Sequence, residues 1–482
     1  MNDTIIINTQ MDNQETHIEQ NIYNGAPIIV GLDIGTTKIA AIAGRKNAQG
    51  KLEILGFGAA PSNGVQHGQV LNIDQTVRAI GAAMDSCRKS NPNLDISEVY
   101  VGIAGQHIKS LQTRGEIVRQ NPEEEIQQEE IDRLIADQRK TFIPAGDQII
   151  DVIPQDFHVD NFQSIKDPIG YNGVKVGANF HIITGDRNAI KNINRAVVRS
   201  GLKTKDLVLQ PLASSAAVLS DIDMEAGVAV LDIGGGTTDL AVFYEGMLKH
   251  TAVIPFGGEN ITNDIKLGLG VLKQQAEAMK KQFGSALAEE AKANAFITIP
   301  GMRGLPAREI SVKNLANIIQ ARMTEILEFV TYHLKQIGMD NRKLNGGVIL
   351  TGGGSQLKHL IQLTEFVTGL NARIGYPNEH LAPSHIELLK NPIYSTCLGL
   401  ILKGENDYDN KNENFEKSNI LKQEEGESVL IDNTSTPQET AEIEKEKTKR
   451  IPRKSFFEKF KNNLIELFKE EEDEVFDNTS SE

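Results

Sequence analysis

One short pattern occurs twice in this chain, and that duplication constrains its fold more than any other feature. Residues 28–41 read Ile-Ile-Val-Gly-Leu-Asp-Ile-Gly-Thr-Thr-Lys-Ile-Ala-Ala; residues 228–242 read Val-Ala-Val-Leu-Asp-Ile-Gly-Gly-Gly-Thr-Thr-Asp-Leu-Ala-Val. Asp33 and Asp232 stand 199 residues apart. Each copy predicts an apolar strand, a Gly/Thr turn and a second strand, a hairpin whose turn is stripped of side chains. Backbone N–H groups in such a turn form an anion nest, and threonine hydroxyls add donors. The candidate phosphate contacts are Gly35, Thr36, Thr37 and Lys38 in one turn, and Gly234, Gly235, Gly236, Thr237 and Thr238 in the other. Asp33 and Asp232, at the strand ends, are placed to hold a hydrated divalent cation beside phosphates. A single Gly-Thr turn is common in ordinary hairpins. Two copies, each with its Asp, predict two similar domains that clamp a polyphosphate. Neither copy is GxxxxGK[ST] or GxGxxG, which excludes the P-loop and Rossmann readings. A third cluster, Gly352, Gly353, Gly354 and Ser355, follows the apolar run 347–351 and precedes a segment, 356–368, expected to be helical. A backbone free of side chains there admits a flat ring.

At 482 residues the chain is long enough for about three domains. The formal charge of −15 argues against general nucleic-acid binding, which needs a Lys/Arg excess. The two cysteines, Cys87 and Cys397, are too few for a disulfide scaffold and lack CxxC spacing. The N-terminus lacks the basic start and apolar core of a signal peptide, and no run reaches the ~18 apolar residues of a membrane span. These features lead us to expect a cytoplasmic protein, attached to a membrane only by something other than a span. Residues 1–26 are polar and read as a disordered extension. Residues 404–449 carry net charge −7 with few large apolar side chains, and read as a disordered linker.

Residues 450–469 carry net charge +4 and residues 470–482 net −7. Ser455 and Glu458 have capping-box spacing, so a helix is predicted from Phe456. At ~100° per residue, Phe456, Phe457, Phe460, Leu464, Leu467 and Phe468 share roughly a third of its circumference. Lys454, Lys459 and Lys461 lie outside that arc, with Arg453 just before the helix. A basic amphipathic helix of this kind reads as binding an anionic membrane surface. The competing reading is a helix docked on the protein itself or in a partner's groove, which has no special need of basic flanks. A 404–449 linker has a typical reach of ~35–40 Å.

The three glycine motifs together resemble the phosphate and adenosine motifs of the actin-type ATPase superfamily. Pro211-Leu-Ala-Ser-Ser-Ala-Ala and Pro392-Ile-Tyr-Ser-Thr-Cys-Leu-Gly-Leu resemble its two connecting helices. The resemblance implies an α/β fold of two related actin-like (ribonuclease-H-like) domains around a nucleotide cleft, each with a small inserted subdomain. It implies ATP with Mg²⁺ as cofactors, with Glu277 and Lys280 on the ribose and adenine side. Between the first domain's two halves lie Val99-Tyr-Val-Gly-Ile-Ala-Gly-Gln-His, an acidic helix around 125–139 and Asp167-Pro-Ile-Gly-Tyr-Asn-Gly-Val-Lys-Val. This stretch resembles the FtsA family of cell-division proteins, and the likeness runs over about 27–403.

On that basis 27–96 with 181–212 is expected as the first core, 97–180 as its insert, 213–256 with 330–403 as the second core, and 257–329 as the second core's subdomain. The resemblance implies a protein that polymerises with itself on ATP at the cytoplasmic face of the membrane, at the division septum. There it would tether the tubulin-like protein FtsZ, support Z-ring assembly and recruit other division proteins. The FtsZ tail would dock on 257–329, where Arg308 resembles a basic contact and Arg303 is nearby; the bland reading of both is a solvated loop charge. A weak ATPase would use Asp232 or Asp239 to order a water. Three alternatives use the same cleft. A small-molecule kinase needs an acceptor base, which the sequence does not offer. A chaperone ATPase needs a large C-terminal substrate domain, which the mostly polar residues after 403 are not expected to supply. A pilus-assembly relative gives no reason for a basic amphipathic tail.

Overall fold

The structure is a computed structural model that describes residues 27–410, except 93, 293, 300–305, 384 and 385. The expected extension 1–26, the linker beyond 410, the basic helix with Arg453 to Phe468, the acidic tail, and Arg303 all lie outside the described residues.

Strands β1 (Ile29–Ile34), β2 (Lys38–Lys46) and β3 (Leu52–Pro61) form an antiparallel meander. A small hairpin, β4 (Val65–Gln66) and β5 (Gln69–Val70), leads to α1 (Ile73–Ser90) and β6 (Glu98–Ile103), which returns parallel to β1. The inserted unit follows: β7 (Lys109–Val118), α2 (Gln128–Gln138), β8 (Asp147–Val159), β9 (Phe162–Ile165) and β10 (Lys175–Asp186), its sheet ordered β7-β10-β8-β9. Helix α3 (Arg187–Arg199) and β11 (Lys203–Leu209) complete the first sheet, ordered β11-β6-β1-β2-β3.

Helix α4 (Gln210–Val218) leads into the second half, which opens on β12 (Val228–Ile233), β13 (Thr238–Tyr244) and β14 (Met247–Ile254). Next come α5 (Gly258–Leu269), α6 (Lys273–Phe283), β15 (Phe296–Ile299), β16 (Arg308–Ser311) and the long α7 (Val312–Gln336). Strand β17 (Gly347–Thr351), α8 (Leu360–Thr368), β18 (Ala372–Ile374) and a helix α9 over 395–410 finish it. The second sheet is ordered β14-β13-β12-β17-β18. Read in reverse, it has the same succession of parallel and antiparallel neighbours as the first sheet. The duplication seen in two hairpins therefore extends over two whole sheets.

Both sheets are buried on both faces, and alternation along each strand sorts the side chains. Val30, Leu32 and Ile34 meet α1 and α3, whereas Ile29 faces the opposite layer. Ala229, Leu231 and Ile233 meet α5 to α8, whereas Val228 and Val230 face that same middle layer. The middle layer holds α4 and α9, sandwiched between the two sheets through Ala213, Ala217, Leu398, Leu400 and Ile401. Each fully buried Leu or Ile there contributes about 1.5–3 kcal/mol. The two helices touch backbone to backbone: a Cβ on Gly399 would collide with the Ala213 carbonyl.

Four details differ from the sequence-based expectation. β6 belongs to the first core sheet, so the insert begins after Ile103 and its last strand runs to Asp186, displacing the expected 97–180. A buried apolar run reads the same in either sheet; only pairing decides. The boundary expected at 329/330 falls inside the unbroken α7, because Ile326, Leu327 and Val330 continue one buried face. The segment 356–368 is not one helix: a 3₁₀ turn spans Gly353–Gln356, and His359 breaks the chain with a left-handed φ of 60° before α8. Finally, α9 runs past Gly404, the expected start of the linker. Glu405 is buried and accepts from the Lys46 backbone at 3.1 Å, and Asp409 pairs with the Lys46 ammonium at 2.7 Å. Local acidity looked like disorder, but these acids have basic partners in β2.

Candidate functional site

The two Gly/Thr turns close in the same way. Gly35 N–H donates to the Lys38 carbonyl at 3.0 Å, and Gly234 N–H to the Thr237 carbonyl at 2.9 Å. Their tips face each other. A Cβ on Gly235 would strike the Thr37 methyl, and one on Gly236 would lie 2.5 Å from Thr36 Oγ1. Only glycines can sit this close to the Thr36 and Thr37 side chains of the facing turn. Gly258 and Glu259, at the start of α5, donate to the Gly234 and Gly235 carbonyls at 2.9 and 2.7 Å, which locks the second turn to the helix below it.

Three carboxylates gather behind the tips. Asp33 accepts from Gln210 Nε2 at 2.9 Å and lies 3.4 Å from the Lys38 ammonium, which itself sits 5.4 Å from the centre of the Tyr394 ring. Asp232 accepts from Ser214 Oγ and, at 3.0 Å, from Thr396 Oγ1, one hydroxyl from each connecting helix. Burial raises its pKa, with Asp33 adding to the shift and the two hydroxyls opposing it. Asp239 accepts from Thr237 Oγ1 at 3.1 Å, but its other oxygen is buried without a partner. Burial, then the Asp232 charge, pushes its pKa well above the carboxylate range. Thr238 is committed elsewhere: its hydroxyl donates to the Phe256 carbonyl at 2.9 Å.

The residues expected on the adenosine side lie on the second half. Gly352 adopts φ 78°, and a Cβ there would collide with Asp232 Oδ1, so the backbone passes directly over the carboxylate. Gly354 packs on Ile233, and Ser355 Oγ donates back to the Gly352 carbonyl at 2.7 Å. Gly353 is looser, its nearest prospective neighbour being Ile393 at 3.5 Å. Glu277 and Lys280 form a 2.7 Å pair on α6, and Lys280 also donates to the Gly258 carbonyl at 2.7 Å. Burial pushes the Glu277 carboxyl up, but Lys280 overrides it and the pKa ends below the ordinary value. Burial lowers the Lys280 pKa in spite of Glu277. Arg308 stands apart, with its guanidinium donating to the Leu269 and Gly270 carbonyls at 3.0 Å each, where it caps the end of α5.

These residues fit a nucleotide with a divalent cation. The facing turns bring backbone N–H groups together with the Thr36 and Thr37 hydroxyls, and Asp239 carries an orphaned oxygen. Among the described residues no group of three His, Cys, Asp or Glu is placed to hold a metal on its own. That suits Mg²⁺, which keeps most of its waters and takes phosphate oxygens with only one or two carboxylates. Asp33 is the better donor of the two expected. Asp232 is tied to two hydroxyls and faces Gly352.

Several residues of this site were invisible as site residues in the sequence. Gln210, Ser214 and Thr396 lie in or beside the connecting helices, and nothing in their spacing pairs them with Asp33 or Asp232. The His67-Gly68 turn between β4 and β5 touches both tips: Gly68 N–H donates to Thr36 Oγ1 at 3.2 Å, and His67 Nδ1 lies 3.2 Å from the Gly236 carbonyl. His67 has φ 46°, a strained left-handed value for a non-glycine residue. Among the described residues no helix is long and apolar enough to cross a membrane.

Comparison with known proteins agrees with this architecture. Residues 229–399 match the family model "Cell division protein FtsA", and residues 105–184 match "SHS2 domain inserted in FTSA". The chain is 37% identical over 377 residues to the cell division protein FtsA of Pseudomonas aeruginosa, covering 78% of this chain and 89% of that protein. It is 39% identical over 370 residues to FtsA of Neisseria meningitidis serogroup B, covering 77% and 88%. Among solved structures it superposes on a PilM–PilN type IV pilus biogenesis complex with TM-score 0.58 at 16% identity, over 78% of this chain and 98% of that one.

Proposed function

The chain belongs to the FtsA family of cell division proteins, with the actin-like fold of two duplicated α/β halves, and from that premise we propose that it is a nucleotide-gated scaffold of the division machinery. The observation that carries this reading is the meeting of the Thr36–Thr37 tip with the Gly235–Gly236 tip, one from each half, over three carboxylates. ATP with Mg²⁺, when bound, supplies the negative charge and the cation that hold the two turns together. The chain's own residues do the rest. Backbone N–H groups of 36–37 and 235–236 and the Thr36 and Thr37 hydroxyls receive phosphate oxygens, while Gly35, Gly234 and Thr237 use their donors within the turns and on Asp239. Lys38 supplies positive charge beside Asp33, and Asp33 takes the cation through water. Asp232 braces the connecting helices through Ser214 and Thr396, and Asp239 orders a water for slow hydrolysis. Glu277, Lys280 and the 352–355 backbone hold the nucleoside.

Closure on nucleotide selects one of two arrangements of the halves, and self-association reads out that selection. The 450–469 segment tethers the chain to an anionic membrane at the septum, and many weak tethers on one filament add to a firm attachment. The FtsZ tail and other division proteins then meet this filament, FtsZ on the face of α5 to α7 near Arg308. The test is sedimentation of the purified chain with anionic vesicles, with and without ATP, beside equilibrium binding of a fluorescent ATP analogue. We expect co-sedimentation that strengthens with ATP. Absence of nucleotide binding removes the gating.

A further inference from the structure

On the far side of the first sheet from α4 and α9, α3 presents a row of cations. Arg187, Lys191, Arg195 and Arg199 recur every four residues, all exposed, and the helix contains no acidic residue. Arg199 pairs with Asp74 at 2.7 Å, and the Arg187 guanidinium donates to the Asp147 carbonyl at 3.4 Å. Lys191 and Arg195 have no carboxylate partner among the described residues. Like charges four apart destabilise a helix, and a cation in its first turn opposes the helix dipole. A row kept against both penalties points to an anionic partner. The row continues at its N-terminal end into a cavity of about 320 Å³ shared by Arg187 with Arg139 and Lys140. Lys140 is 76% exposed despite a 3.3 Å contact to Asp137, and Arg139 reaches Asp151 only at 3.8 Å. The same loop carries Phe142, which at 92% is the most exposed large apolar side chain of the described residues.

We propose that this face, Arg139, Lys140 and Phe142 with Arg187, Lys191 and Arg195, rests on an anionic lipid surface, with Phe142 entering the interface. An exposed aromatic side chain is unremarkable alone. Flanked by the exposed cations Arg139 and Lys140, it has the composition that amphipathic segments use at the headgroup boundary. An acidic peptide explains the cations but leaves Phe142 without a role. The inference rests on the reading that the 450–469 segment brings the chain to a membrane, since a body held within linker reach meets the bilayer at high effective concentration.

The chain contains no tryptophan, so Phe142→Trp in the full-length protein is a single fluorescent reporter. With phosphatidylcholine vesicles containing phosphatidylglycerol, its emission should move to shorter wavelength and be quenched by brominated acyl chains. Both signals should vanish in the same background with Lys191→Glu and Arg195→Glu, and weaken with the milder Lys191→Gln and Arg195→Gln. Vesicle affinity should fall roughly fivefold per cation removed, while tail-driven sedimentation persists. Co-sedimentation with neither blue shift nor quenching overturns this face and leaves the tether intact. Absence of co-sedimentation overturns the tether and this face together. A blue shift present before vesicles are added also overturns it. If that shift depends on protein concentration the occupant is a second copy; if it is lost on deleting 470–482 the occupant is the chain's own acidic end.

Discussion

Asp232 and Asp239 stand opposite each other across the β12–β13 ladder, one braced by two hydroxyls, the other with a buried oxygen that meets no donor. In the first hairpin the equivalent pair is Asp33 and Ala40. The two copies are thus alike in backbone and unlike in charge, and Asp239 is the carboxylate without a counterpart.

That asymmetry has a pH signature. Asp239 has its pKa raised by burial and by Asp232, so it binds protons more readily folded than unfolded. Its contribution to stability therefore falls as pH rises from the ordinary carboxylate range through the raised value. Asp239→Asn removes this dependence. In nucleotide-free protein the variant should melt higher than the parent near neutral pH, and the gap should close toward pH ~4. Thermal melts across that range decide it; a gap that widens on acidification contradicts the assignment.

The facing turns predict how nucleotide binding fails. Asp33→Ala removes cation support, and Gly235→Asp both strikes Thr37 and sets a carboxylate against phosphate. Each should weaken binding of a fluorescent Mg-ATP analogue by tenfold or more, the scale of about 1.4 kcal/mol or above. Unchanged affinity in both would remove the two-turn clamp.

Gly399 tests the middle layer. With its Cβ position already taken by the Ala213 carbonyl, Gly399→Ala must push α9 from α4. Overpacking of this kind costs about 1–3 kcal/mol or more. Urea unfolding should show a lower midpoint, and a neutral result would mean that the two helices separate freely.

Arg308 has two roles that a paired experiment separates. Arg303→Glu with Arg308→Glu should reduce binding to an FtsZ C-terminal peptide and leave ATP binding intact. Because Arg308 also caps α5, Arg308→Gln is the control. It removes the charge and keeps an amide donor for the Leu269 and Gly270 carbonyls. Peptide affinity that is equal in all three proteins places the site elsewhere.

The tail predicts the cleanest loss. Phe460→Glu puts a charge in the middle of the apolar arc and should abolish vesicle binding at any salt. Lys459→Glu with Lys461→Glu should weaken it only on anionic vesicles, and deleting 470–482 should tighten it. Vesicle binding by Phe460→Glu at the parent's level would favour a helix docked on protein.

The sequence by itself determined the two glycine turns, their Asp residues, the third glycine cluster and the duplicated fold. Those features are local, because a turn stripped of side chains and an alternating apolar strand are written in consecutive residues. It did not determine which sheet β6 joins, since a buried strand carries no mark of its neighbours. Nor did it show that the acids after Gly404 extend a helix, because Lys46, their partner, is more than 350 residues away. The same holds inside the cleft. Asp232 reads from sequence as a cation ligand, yet Ser214 and Thr396, 18 and 164 residues distant, occupy its oxygen. The His67-Gly68 turn reaches both tips only because the two halves are brought together. Tertiary structure decides such matters because a carboxylate's role depends on which donors and charges surround it, and here they come from three remote stretches of chain.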